Sequence, residues 1–199
     1  MTTAAHLLSI ALEETTDPPL RPLPHDVADL LGELAAPPRL VAHLRAVHDV
    51  AAQLVDWVVR RCPELEVDRA AVLYGAATHD IGKVLHPAEL SGPGGRHEKA
   101  GRDLLLARGV PPSRARFAAT HAAWAEPGVG VNDLLVSIAD KTWKNKRVPE
   151  LEDRVVDLLA RAGGHEAWQE FLALDELLTT IGEDADRRLA WQAAHGVHG

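Results

Sequence analysis

The stretch Ala77-Thr78-His79-Asp80-Ile81-Gly82-Lys83 decides how this chain folds. A histidine followed at once by an aspartate closes a run of small apolar residues, where a solvated charge pair is out of place. Burying an imidazole beside an unpaired carboxylate is costly, as it is for any desolvated polar or charged group. A divalent cation between them offsets that cost. The doublet is therefore a candidate metal site at the end of a buried helix, and what surrounds it decides the reading.

Working outward, Asp68 caps a helix from Arg69 to about His79, in which Val72, Leu73, Gly75, Ala76 and Ala77 leave little polar surface. Gly82 is expected to end it in a left-handed conformation, and Pro87 with Ser91-Gly92-Pro93-Gly94-Gly95 marks a loop. Upstream, Pro37-Pro38 opens a long helix that runs to about Cys62 and stops at Pro63, with Leu40, Leu44, Val47, Ala51, Leu54 and Val58 as its apolar stripe. His43 lies on one flank of that stripe. Before it come a helical or irregular arm ending in the proline-rich segment Asp17 to Pro24, and a brief helix from His25 to about Leu34.

Downstream, Gly and Pro signals delimit helices at about Arg96 to Arg108, Pro112 to Ala123, Asn132 to Lys144 and Pro149 to Ala162. A longer one is expected from about His165 to Ala194, burying Trp168, Phe171, Leu172, Leu178, Ile181, Ala185 and Leu189. No strand, repeat or low-complexity tract stands out. Abundant alanine and leucine with few aromatics point the same way, to an all-α fold. The expected organisation is an N-terminal arm and short helix over 1–36, a helical-bundle core over 37–147, and C-terminal helices over 148–199 that pack on the core. Those last helices can cover a pocket, form a homodimer interface or complete the core.

With 199 residues, 46% apolar and 25% charged, the chain reads as a soluble globular protein with one sizeable core or a domain with an appended helical lobe. Its net charge of -8 argues against a nucleic-acid polymer or an anionic membrane as partner, since both need a basic surface. No apolar run approaches the roughly 20 residues of a membrane span. Met1 to Leu12 lacks the basic flank and apolar centre of a signal peptide, and a lone Cys62 permits no internal disulfide, so a cytoplasmic location is expected.

Three further residues join the doublet as candidates. His97 begins the helix after the glycine loop, with Gly101 one turn on to let another backbone approach. His121 follows Phe117 and Ala118 on a face that should point inward, and Asp140 follows Leu134, Leu135 and Ile138. Taken singly, these read as an exposed first-turn histidine, a hydrogen-bonded core histidine and a carboxylate paired with a nearby lysine. Taken together, imidazoles and carboxylates on successive helices form the mixed ligand set that suits iron, manganese, cobalt, nickel or zinc.

His43, then His79-Asp80-Ile81-Gly82-Lys83, then Asp140, resembles the H...HD...D pattern of the HD superfamily of metal-dependent phosphohydrolases. His97 in H-E-K-A-G and His121 in A-T-H resemble the two extra histidines of its dinuclear branches, which include diadenosine-polyphosphate hydrolases and the HD-GYP group. The resemblance covers about His43 to Arg147. It implies an all-helical fold in which His43, His79, Asp80 and Asp140 bind one ion and Asp80, His97 and His121 the other, with Asp80 bridging. Two divalent ions so held would activate a water against a phosphate ester or anhydride.

By the same resemblance, Asp80 and Lys83 are the catalytic candidates. Lys83 would stabilise phosphoryl charge, joined by Arg96, Lys141, Lys144 and Arg147, unless these four form a solvated basic patch. The first ligand has two candidates, because His43 and His48 lie on one helix about 140° apart. His43 fits the H-x-x-x-V register and is preferred. No Gly-Tyr-Pro feature follows, which argues against cyclic-dinucleotide hydrolysis. The implied substrate is a nucleotide or other small phosphorylated metabolite. Two readings stand beside it: a mixed-valence di-iron oxygenase built on the same ligand set, and a metal-stabilised binding or regulatory module without turnover.

Overall fold

Proline at its first turn, two arginines at its last and an apolar face throughout make the longest helix the axis of the molecule. In the computed structural model, which describes residues 4–196, that helix is α3 (Pro38–Arg61). Before it come α1 (Ala4–Glu13) and α2 (His25–Glu33). After it come α4 (Arg69–Thr78), the single helical turns Ile81–Val84 and Pro87–Leu90, and α5 (Arg96–Ala107). The short turns α6 (Pro112–Ala115) and α7 (Phe117–Thr120) lead to α8 (Val131–Thr142), α9 (Pro149–Gly163), α10 (Ala167–Gly182) and α11 (Ala185–Ala193). The fold is all-α, and the described residues include no strand.

The axis serves two apolar clusters. Its first turns give Leu40, Val41 and Leu44 to one shared with Val27 and Leu31 of α2, Ile81 and Leu105. From Val47 to Val58 it feeds another, built with Leu134, Leu135 and Ile138 of α8, Val155 and Leu159 of α9, and Leu174 and Leu178 of α10. Arg45 is buried between the axis and the N-terminal arm, donating to the carbonyls of Ala11, Leu20 and Arg21. As expected, Asp68 caps α4, its Oδ1 accepting from the Ala71 N–H at 2.9 Å.

The structure departs from the sequence reading in three places. Gly82 does not end α4: that helix stops at Thr78, and Gly82 has no positive φ but sits inside the Ile81–Val84 turn. Its lack of a side chain serves a close approach described below. The helix expected over Pro112 to Ala123 is two single turns, because the Arg116 guanidinium takes the Ser113 carbonyl.

The C-terminal helix is likewise two, and its buried face is set differently. Trp168, Phe171 and Leu172, expected inside, are exposed, while Glu170, Leu174, Leu178 and Ile181 form the buried stripe. Glu170 is drawn inward by the Arg61 guanidinium, two bonds of 3.1 Å, and by the His165 ring at 2.7 Å. Those charge-assisted bonds outweigh the pull of the aromatic face and rotate α10. After Gly182 the chain turns, and Arg188 on α11 is fully buried, donating to Trp143 O and Ile181 O at 2.8 and 2.6 Å.

His48 is buried on α3 away from the candidate ligands, its Nδ1 without a partner. Burial pushes its pKa down to about 4, with Asp49 opposing and Arg21 and Arg69 adding to the shift. The unfolded chain therefore takes up a proton below pH about 6.5, whereas the fold accepts it only near 4. Stability is full above 6.5 and falls as pH drops through that window. Between pH 7 and 5 the loss due to His48 is expected to be about 2 kcal/mol. Urea unfolding at both pH values checks this: His48→Gln should show a smaller drop than the wild type, and equal drops would refute the assignment.

Candidate metal centre

Five elements deliver the candidate ligands. α3 presents His43, the end of α4 presents His79 and Asp80, the start of α5 presents His97, the end of α7 presents His121, and α8 presents Asp140. All six are buried, His79 completely. Glycines let these elements close on one another. A Cβ on Gly82 would lie 2.0 Å from His97 O and 2.5 Å from Gly101 N, so the His-Asp turn packs on α5 backbone to backbone. A Cβ on Gly75 would lie 2.6 Å from the Phe117 ring, which is how α7 settles on α4. Asp133 on α8 then holds α7, accepting from the Arg116 guanidinium and from Thr120 Oγ1 at 2.8 Å.

The result is two triads, His43, His79 and Asp140, and Asp80, His97 and His121, in each of which donor atoms lie within 4.8 Å of one another. Asp80 faces both. Its Oδ2 is 3.0 Å from His43 Nε2 and 3.6 Å from His79 Nε2, while its Oδ1 is 3.0 Å from His97 Nε2 and 3.5 Å from His121 Nε2. Asp140 Oδ1 lies 3.8 and 3.6 Å from the same two rings as Asp80 Oδ2. Ligands bonded at about 2.0–2.2 Å to a common ion stand roughly 3 to 3.5 Å apart, so these spacings fit coordination shells. Of the two candidates on α3, His43 lies in the cluster and His48 does not.

The ring orientations fit the same purpose. His79 Nδ1 is 2.9 Å from Ala76 O, His121 Nδ1 3.1 Å from Ala118 O, and His97 Nδ1 2.6 Å from Glu89 Oε2. With the Nδ1 proton donated there, each Nε2 lone pair is left pointing into the cluster. His97 Nε2 is buried and, although Asp80 Oδ1 lies 3.0 Å away, makes no well-directed hydrogen bond, the kind of under-satisfied atom an ion would satisfy.

Electrostatics agree. Burial would raise the Asp80 pKa, but His79, His43 and His97 hold it well below the usual carboxylate range. Asp140 is likewise opposed by burial and held low by His79 and Lys141. Burial lowers His43 despite Asp80, and pushes His121 down to about 4 with His79 adding. Ionised carboxylates beside neutral imidazoles are the protonation states metal ligands need. His97 differs: burial opposes its charge, but Asp80 and Glu89 raise its pKa.

Of the basic candidates, Lys83 Nζ lies 2.5 Å from Asp80 Oδ2 and Lys141 Nζ 2.6 Å from Asp140 Oδ2. Lys83 and Lys144 line a cleft of about 190 Å³ that opens beside His43. Arg96 is exposed on another face, next to Lys99 and Asp103. Arg147 is held by Glu152 and Asp175, at 2.6 and 2.8 Å, and braces α9 against α10. The structure thus brings Lys83, Lys141 and Lys144 to the centre and leaves Arg96 and Arg147 away from it.

Glu89 escaped the sequence reading. It lies in the Pro87–Leu90 turn and also accepts the N–H groups of Arg96 and His97, at 3.3 and 3.2 Å, so one carboxylate orients the ring and caps α5. A lone Glu after a proline carries no sequence signal for this. Glu89→Ala is expected to weaken metal affinity about 10- to 100-fold, measured by chelator competition. Unchanged affinity would show that the Glu89 contact does not tune His97.

A bundle of helices with inward imidazoles and carboxylates defines an all-α protein made to grip metal between its helices. The profile of the HD domain family matches residues 26–160, and the chain belongs to that family, whose members are generally metal-dependent phosphohydrolases. No curated protein and no solved structure matches the chain.

Proposed function

We propose that the protein is a dinuclear metal-dependent phosphohydrolase. It cleaves a phosphoester or phosphoanhydride of a nucleotide or other small phosphorylated metabolite, in the cytoplasm. The observation that carries this reading is Asp80, whose two carboxylate oxygens face two separate ligand triads. When bound, two divalent ions would supply Lewis acidity to the phosphoryl oxygens and an acidified water; iron, manganese, cobalt, nickel and zinc all accept this ligand set.

The chain's own residues have separate tasks. His43, His79 and Asp140 would hold one ion and His97 and His121 the other, with Asp80 spanning them. Lys83 reaches from Asp80 to the cleft, where an ammonium can stabilise phosphoryl charge. The net charge of -8 makes a small anion that enters a locally basic cleft a better substrate than a nucleic-acid polymer.

Protein purified without chelator, analysed for metal and screened against nucleotides and sugar phosphates, tests the reading. Phosphate release is expected, abolished by chelation and by His79→Ala. Oxygen uptake without phosphate release would instead establish the di-iron oxygenase, and tight retention of unaltered ligands the binding module.

A further inference from the structure

The cleft beside His43 has a composition that the hydrolytic reading does not by itself require. Arg39 and Lys144 line it together with Lys83, and no carboxylate does. In a chain of 29 acidic and 21 basic residues, neither Arg39 nor Lys144 forms an ion pair among the described residues. Lys144 instead lies 5.8 Å from the centroid of the Trp143 ring, which itself packs edge-on against His43 at 4.9 Å.

Hydrogen bonding adds a second, independent observation. Among the described residues five buried side-chain atoms lack a partner, and three of them belong to residues of this cleft: Arg39 Nε, His43 Nδ1 and Trp143 Nε1. Trp143 is itself 3% exposed. Leaving buried donors unpaired is unfavourable, and residues that border this cleft carry three such atoms, beside two cations without a counter-ion. α11 also borders the cleft, through Leu189 and Gln192, and is anchored by the Arg188 bonds to Trp143 O and Ile181 O. The Arg39 backbone is tethered beside α11, its main-chain N–H donating to Gly196 O at 3.1 Å.

We infer that this cleft is a specificity subsite for a second anionic group on the substrate, a carboxylate or a second phosphate, distal to the phosphoryl group held at the metal centre. Arg39 and Lys144 receive that group, and α11 closes over it. The cleft, at about 190 Å³, is smaller than the roughly 300–1,000 Å³ of pockets that enclose drug-sized ligands, which favours a short link between the two anions. The substrate class is a compact, doubly anionic metabolite. The inference rests on the proposed hydrolase only in taking the reacting phosphoryl group to sit at the metals.

Calorimetric titration of the metal-loaded protein tests it with non-hydrolysable probes. Propylphosphonate carries one anion, phosphonopropionate adds a carboxylate, and propylene diphosphonate adds a second phosphonate. At least one diacid is expected to bind about 10- to 100-fold more tightly than propylphosphonate, and which one does so identifies the second anion. In Arg39→Met and Lys144→Met that ratio should fall toward one. Equal affinities for all three probes in the wild type, or a ratio that survives in both variants, would overturn the subsite. Phosphate release from substrates is scored separately: a protein that shows the selectivity but releases no phosphate keeps the subsite and loses the hydrolase.

Discussion

Asp80→Asn is expected to strip the protein of both ions and to lower phosphate release by on the order of a thousandfold, the scale on which a single preorganised electrostatic group acts. The substitution is nearly isosteric, so the turn that carries it should keep its shape. What changes is charge: one oxygen that faces His97 and His121, or the one that faces His43 and His79, becomes an amide nitrogen that cannot ligate. Lys83, whose ammonium lies against Asp80, loses its counter-ion as well. Elemental analysis alongside kcat/KM reads both effects. A variant that still holds two ions and turns over normally would remove Asp80 from the bridging role.

Gly82→Ala should have the second largest effect, although residue 82 ligates nothing. Its Cβ would sit 2.0 Å from the His97 carbonyl oxygen and 2.5 Å from the Gly101 nitrogen. Both are backbone atoms and cannot swing aside, so the His-Asp turn and α5 must separate. A destabilisation of about 3 kcal/mol is expected, at the upper end of overpacking costs, together with a loss of metal as His97 moves away from Asp80. Gly32→Ala is the control, since nothing lies within 4 Å of a Cβ there and α2 should be unharmed. Urea denaturation of both variants decides the matter: similar stabilities for the two would mean that the glycine contact does not hold the centre together.

The contrast between these glycines shows where sequence reading stops. Gly101 was legible as a place of close approach, and it does meet the Gly82 turn, its own Cβ falling 3.0 Å from Gly82 N. Gly82, two residues after the aspartate, looked like a helix terminator because local signals are all a sequence offers. Its actual reason for being glycine is the α5 backbone, from His97 to Gly101, on the next helix. The same limit hid Glu89, whose partner is a ring on the next helix, and Arg39, which becomes notable only when α11 and Lys144 form a cleft around it.

Periodicity failed in one direction that is also informative. Trp168, Phe171 and Leu172 promised a buried face on α10, yet Glu170 takes the inner position because Arg61 and His165 meet it there. An apolar stripe estimates burial from one helix alone, whereas the rotation of that helix is chosen by what its neighbours present.

What the sequence determined by itself is the helical class, the positions of most helix starts and stops, and the ordered set of histidines and aspartates, because capping, proline and glycine act within a few residues. The tertiary structure decided which histidine of α3 joins the set, that Asp80 faces both triads, and which cations border the cleft. Those outcomes depend on distances between segments far apart in the chain, and such distances are settled only when glycine contacts, buried ion pairs and two apolar clusters have fixed every helix against its neighbours.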